Sequence, residues 1–298
     1  MSRIELTGLI GSHPLGALSS FGLLRVLAEH DPSARLSFVE RDDWVAMLDS
    51  KLSSGDELLA WLQTWISSRS PAVLGAFGDD DVRVAPSRFH GTLFEALFGA
   101  SPNDELAAFL VGLAADGAED QSKHMVKPSP FYMASGQQSF IDTVRKIHVQ
   151  VSKGLSWAET VFGPWCYATA EWGCGWDPGT ERMHALRYKA PAKDKTACVV
   201  GAVWLGFEAL PLFPSFSEAG HVRTVGWNEH DRLDHWRWPL PSVPVAIGTL
   251  RLLLASLEVA GRFKGKKPLR GGIGAIYEST RHEFGQGYAV FRPARRLA

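Results

Sequence analysis

Five cations crowd one short stretch near the end of the chain, Arg262, Lys264, Lys266, Lys267 and Arg270, and Gly271, Gly272 and Gly274 follow at once. Lysine and arginine supply countercharge to phosphate, and glycine lets a backbone approach it closely, so the combination suits a polyanion. Arg281, Arg292, Arg295 and Arg296 continue the positive series, and Tyr277, Tyr288 and Phe291 add ring faces on which unstacked bases could lie. Neither the phosphate-loop pattern Gly-x-x-x-x-Gly-Lys-Ser/Thr nor Gly-x-Gly-x-x-Gly is satisfied, which excludes the common nucleotide-binding fingerprints. The same residues also read as a hairpin, 273–278 paired with 288–292, with its aromatic rings in a core. Lys264, Lys266, Lys267, Arg270, Gly271, Gly272 and Arg281 are thus candidate nucleic-acid contacts. Lys123, Lys127 and Gln137 join them, because a glutamine amide can pair with a base edge, adenine best.

The charge that surrounds these residues is sorted. Residues 1–122 carry 8 basic and 18 acidic side chains, residues 123–260 carry 14 and 12, and residues 261–298 carry 9 and 2, within a total of only -1. A segregated positive field collects polyanions, whereas an acidic region suits a protein neighbour or solvent. A division into an acidic N-terminal α+β region, 1–122, and a Trp-rich region, 123–298, ending in the basic glycine-rich module follows from this sorting and from the prolines near 130.

Catalytic constellations are weak. His221, His230 and His235 share one stretch with Glu229, Asp231 and Asp234, which raises a metal-dependent nuclease as one reading, but zinc-site spacing is missing. No Gly-x-Ser-x-Gly elbow occurs, and Cys166, Cys174 and Cys198 lack Cys-x-x-Cys spacing and read as buried thiols. No cofactor and no metal are expected. No run of about 18 apolar residues exists and the N-terminus lacks the apolar segment of a signal peptide, so no membrane partner and a cytoplasmic location are expected.

The elements that must position these groups are legible in part. Ile4 and Leu6 alternate, Ser12 and Pro14 open a helix over 13–29, and Leu36 and Phe38 alternate again, which predicts strand, helix, strand. Between the first two, the stretch Gly11-Ser-His-Pro14 reads as an anion-binding helix start or as a plain cap. Helical spacing recurs over 56–67, and from Ser101-Pro102 to a stop at Gly117. It recurs again after Ser135-Gly-Gln-Gln138, whose spacing is that of a capping box, and over 243–260, directly before the basic run. The fold class is α+β. Trp157, Trp165, Trp172, Trp176, Trp204, Trp227, Trp236 and Trp238 make the middle tryptophan-rich, as packing lids or, for one or two exposed rings, as platforms for bases.

Three segments, 6–25, 131–140 and 173–188 with its Asp177-Pro178, resemble subunits of type I CRISPR effector (Cascade) complexes, and more narrowly the large-subunit or accessory proteins of subtype I-G, formerly I-U. The resemblance implies a non-enzymatic part of an RNA-guided surveillance complex in antiviral defence. Its partners would be guide RNA, target DNA and other effector-complex subunits, and it would help to recognise or open the target. The strand-helix-strand start is similar to the ferredoxin-like RNA-binding proteins of those complexes, without an obvious second copy of the unit. The competing classes are the nuclease with the His230 and His235 loop, and a protein-only adaptor docking through the acidic region.

Overall fold

The computed structural model describes residues 1–134, 138–154, 157–180, 197–260, 272–284 and 288–298. Among them the chain runs β1 (Ser2–Ile10), α1 (Pro14–His30), β2 (Arg35–Glu40), β3 (Trp44–Ser50), α2 (Gly55–Ser68), α3 (Pro86–Phe98), α4 (Asp104–Leu113), β4 (Ala114–Asp120) and β5 (Met125–Pro128). It continues with α5 (Phe140–Ser152), α6 (Trp157–Phe162), α7 (Val200–Glu208), β6 (Ser215–Glu218), β7 (His221–Thr224), β8 (Trp227–His230) and β9 (Leu233–Pro241), and ends with α8 (Ile247–Ala260), β10 (Ile273–Phe284), β11 (Tyr288–Phe291) and β12 (Arg295–Arg296). This is an α+β fold. No helix among the described residues is long and apolar enough to cross a membrane.

The first sheet has the order β1-β3-β2, with β3 antiparallel to both neighbours and Leu48 facing Ile4 on one side and Leu36 on the other. That is the strand order of the first four elements of a ferredoxin-like unit. Among the described residues no fourth strand joins it. The free edge of β1 is covered by the end of α6, where Thr7 Oγ1 donates to Phe162 O at 2.6 Å.

Helix α1 is buried on every side from Pro14 to Leu27, because it lies between this sheet and α7. Its small residues make that possible. A Cβ on Gly22 would stand 1.8 Å from Leu205 O, so the two backbones pack without an intervening side chain. Ser19, buried beside it, donates to Leu15 O at 2.6 Å and to Ala202 O at 2.8 Å. An ionic tie closes the far end of the interface: Glu208 accepts from Arg25 and, at 2.7 Å, from Arg69, while Arg69 also pairs with Glu105.

The second large sheet runs β11-β10-β9-β8, with β12 beside β10. Trp236 and Trp238 of β9 stack at 4.3 Å, and Phe131 sets its edge against Trp227 at 5.0 Å and against Trp236 at 5.5 Å. Trp238 Nε1 donates to Gly11 O at 2.8 Å and joins this aromatic centre to the first sheet. One contiguous core holds residues from both sides of position 122, which lies at the tip of the β4–β5 hairpin.

Several expectations need correction. The C-terminal hairpin pairs 281–284 with 288–291, while 273–280 pairs with β9, because the tryptophans of β9 need a strand to cover them. Phe291 is wholly buried in that contact and offers no face to a base, whereas Tyr277 is half-buried beside Trp238. Cys166 is exposed; only Cys174 and Cys198 are buried. The helix expected to close at Gly117 ends at Leu113, whose carbonyl accepts the Ser129 amide at 2.8 Å as β4 begins. The cap of α5 is Ser139, which accepts the Asp142 amide at 3.1 Å, and not the Ser135–Gln138 pair. Asp81 reinforces it, accepting the Phe140 amide at 2.7 Å, because a carboxylate satisfies the free donors of a helix start.

Candidate functional site

A cleft of about 930 Å³ opens where β1 passes into α1. Gly11 ends the strand with its amide on Trp44 O at 2.7 Å, and Ser12 donates to Asp43 Oδ2 at 2.7 Å. His13, and not Ser12, caps α1: its Nδ1 accepts the Gly16 amide at 3.3 Å. The neutral ring therefore carries its proton on Nε2, which faces the carboxylate of Asp177 at 3.3 Å. The opposite wall is Phe162, Gly163, Pro164, Trp165 and Tyr167, with Trp165 set edge to face with His13 at 5.2 Å.

Asp177 is the buried hinge of this site, 1% exposed, and its Oδ1 also accepts the Gly179 amide at 2.7 Å. Burial alone would raise its pKa. Hydrogen bonds from His13, the Gly179 amide and the Tyr167 hydroxyl outweigh that and hold the carboxyl below its ordinary value. Burial and the neighbouring carboxylate of Asp177 push the Tyr167 hydroxyl upward, so it stays a neutral donor.

This arrangement excludes two chemistries. Both nitrogens of His13 are engaged and Ser12 donates to Asp43, so His13 does not serve Ser12 as a base. The lining includes Asp43 and Asp177 and no Lys or Arg among the described residues, which opposes a phosphate at the helix start. A flat, uncharged or cationic group lying along Trp165 suits the walls.

None of the described candidate nucleic-acid contacts lines the cleft. Lys264, Lys266, Lys267, Arg270, Gly271 and Gln137 lie outside the described residues. Gly272, immediately after the basic run, has φ of 76° and its carbonyl accepts the Ser242 amide at 2.7 Å; a Cβ there would meet Val243 at 2.3 Å. Turn geometry and packing account for this glycine. Lys123 is exposed at the tip of the β4–β5 hairpin, and Lys127 donates from Nζ to Gly220 O at 3.1 Å. Arg281 is 17% exposed and pairs with Glu283. Nearby, Arg295 stands 2.7 Å from Glu278, and Arg296 2.7 Å from Glu40 above the Trp44 ring. These arginines are engaged by carboxylates, and the basic run between α8 and β10 is the denser reserve of cations.

His230, His235 and Glu278 come together, with Glu278 supplied by β10, a residue that the sequence reading did not connect to the histidines. The two imidazoles are parallel within 5° at 3.8 Å. An ion bound by both would have to lie in both ring planes, which parallel rings do not allow. Glu278 is also occupied: it takes Arg237 Nε at 2.5 Å and Arg295 Nη2 at 2.7 Å. Burial opposes its charge, but Arg295 and Arg237 overcome this and hold its pKa below the ordinary value. The cluster is an Arg-Glu-Arg tie around the buried Glu278, capped by stacked rings, and its geometry lends no support to a nuclease.

The aromatic middle is mostly packing. Trp157, Trp172, Trp176, Trp204, Trp227, Trp236 and Trp238 are buried, and Trp165 in the cleft is the half-exposed ring among the eight. Sequence reasoning did not assemble His13, Trp165, Tyr167 and Asp177. The available signal was their place in three proline-punctuated turns, Ser12-His-Pro14, Gly163-Pro-Trp165 and Asp177-Pro178. No protein-family model and no curated protein matches the chain.

Proposed function

We propose that this chain is a non-catalytic, nucleic-acid-binding subunit of a CRISPR RNA-guided surveillance complex, which holds guide RNA, target DNA or both in the cytoplasm beside other subunits and helps to recognise or open the target. The observation that carries the reading is the sorted charge, with nine cations against two acids in residues 261–298 of a chain whose total is -1. In RNA-guided recognition base pairing reads the sequence, so most protein parts need only positive surface and shape, not turnover chemistry. The β1-β3-β2 order around α1, shared with the first half of ferredoxin-like units, is consistent with that role. The engaged nitrogens of His13 and the stacked His230–His235 pair favour a binding protein over a nuclease.

The test is a salt series of binding to single-stranded RNA and to duplex DNA, with wild type and a Lys264→Ala, Lys266→Ala, Lys267→Ala, Arg270→Ala variant. Each lost phosphate contact should reduce the slope of log affinity against log salt by roughly 0.7 to 0.9. An unchanged slope removes the basic run from the interface. Cleavage of either substrate in magnesium, manganese or zinc that His230→Ala, His235→Ala abolishes would replace this function by the nuclease.

A further inference from the structure

Helix α3 buries Phe89, Leu93 and Ala96 and turns a second apolar face outward. Phe94 is 50% exposed, Leu97 41% and Phe98 70%, and the Phe94 and Phe98 rings lie 5.3 Å apart. Ser87, Gly91, Phe94 and Phe98 follow one another at helical spacing, so two small residues and two large ones form a single stripe opposite the buried side. Beside it, Ser87, Arg88, Gly91, Thr92 and Glu95 line a groove of about 740 Å³ that reaches Asn103 and Leu106 of the α4 start.

Gly91 lies in mid-helix over open space. A glycine inside a helix costs about 1 kcal/mol relative to alanine. The helical glycines Gly16, Gly22 and Gly112 sit against a backbone and Gly201 and Gly206 against side chains, whereas a Cβ at Gly91, as at Gly248 near the start of α8, would meet nothing within 4 Å among the described residues. Nothing among the described residues requires its absence. A neighbour lying across the helix at that point would, because glycine lets a second backbone approach closely between the aromatic knobs.

Charge decides the kind of neighbour. Residues 79–120 carry nine acidic side chains and two arginines, Arg83 and Arg88. Arg88 is taken by Asp80 at 2.5 Å and His90 faces Asp116 at 2.8 Å, while the exposed Glu95 and Asp104 make no ion pair among the described residues. A second copy meeting this face through itself would set acid against acid, and an anionic lipid or nucleic acid would be repelled.

We propose that the outer face of α3 docks an amphipathic helix of a partner protein, with Leu- or Phe-type anchors seated between Phe94, Leu97 and Phe98 over Gly91, and with Lys or Arg flanking them opposite Glu95 and Asp104. This site is independent of the nucleic-acid reading. It uses the helix-in-groove mode, in which apolar anchors give affinity and flanking charge gives selectivity.

The probes are two labelled synthetic helices of about 18 residues with the same leucine face, one with lysine and one with glutamate elsewhere, measured by fluorescence anisotropy. Wild type should bind the lysine helix at least about tenfold more tightly than the glutamate helix. Phe94→Ser with Phe98→Ser should lose that binding. Gly91→Gln should lose it while raising the melting temperature, since glutamine is the better helix former. Glu95→Lys with Asp104→Lys should invert the preference and keeps the test open should the Phe94/Phe98 variant unfold. Equal binding of both helices, or undiminished binding by Gly91→Gln, overturns the proposal. Sedimentation that finds a wild-type dimer made monomeric by Phe94→Ser and Phe98→Ser overturns it in favour of a second copy.

Discussion

Replacing Glu208 with alanine tests the packing that holds the cleft in place. Glu208 is fully buried at the end of α7, and its carboxylate takes Arg25 of α1 and Arg69 just beyond α2, the latter at 2.7 Å. Its backbone carbonyl accepts Arg25 Nε at 2.5 Å as well, a contact that survives substitution. The arginine side chains are only 7% and 12% exposed, so removing the carboxylate strands two poorly hydrated charges. Burial disfavours the Arg69 cation, and Glu208 and Glu105 more than compensate, raising its pKa. Loss of one partner of a buried pair costs about 3 to 5 kcal/mol. Glu105, 33% exposed, stays beside both arginines and Glu29 beside Arg25, which places the expected loss at the lower end, about 3 kcal/mol. Urea unfolding followed by tryptophan fluorescence measures it as a fall in midpoint at constant slope. Glu208→Met with Arg25→Met should recover much of the loss, because an apolar pair of similar volume strands one charge fewer. A cost under about 1 kcal/mol for Glu208→Ala would show that water reaches the arginines and would refute the buried tie.

Two further outcomes follow from the sites. His235 is held below the ordinary histidine value by burial first and then by the charges of His230 and Arg237, which outweigh the opposing pull of Glu278. The unfolded chain therefore takes up the proton before the folded one, and stability falls as pH drops below about 6.5, with a slope of at most about 1.4 kcal/mol per unit. His235→Phe should flatten that part of the urea midpoint–pH curve, and identical curves would dismiss the effect. In the cleft, Trp165→Ala should weaken binding of a single-stranded oligonucleotide by about 1 to 3 kcal/mol, with little change in salt slope, if a base lies along the ring. Equal loss in affinity and slope would place Trp165 at a phosphate instead.

The strand-helix-strand opening was legible because Ile4, Leu6, Leu36 and Phe38 alternate and Pro14 begins a helix at its first turn, all of it local. Helix limits failed where a tertiary partner decided them: Ser129 ends α4, and Asp81, nearly sixty residues away in sequence, supports the start of α5. The register of β10 was equally out of reach. Its first half answers to the tryptophans of β9, and no local pattern could announce that choice. The cleft depends on residues near 12, 165 and 177, far apart in sequence, that only the tertiary fold brings together.

If the chain works on nucleic acid, the two candidate binding regions would divide its chemistry between them. A phosphate chain calls for countercharge, and the basic run before β10 supplies five cations in nine residues. The cleft could not serve that part, since Asp43 and Asp177 would repel the phosphate and no described Lys or Arg lines it. A base presents amino and imino donors and a flat face, for which the carboxylate of Asp43 and the edge and face of Trp165 are suited. If the chain works on nucleic acid, changes in the basic run should alter how affinity depends on salt, and changes in the cleft should alter affinity at every salt alike. The alternative, a cleft that takes a small cationic ligand unrelated to nucleic acid, predicts that Trp165→Ala leaves oligonucleotide binding intact at all salt concentrations.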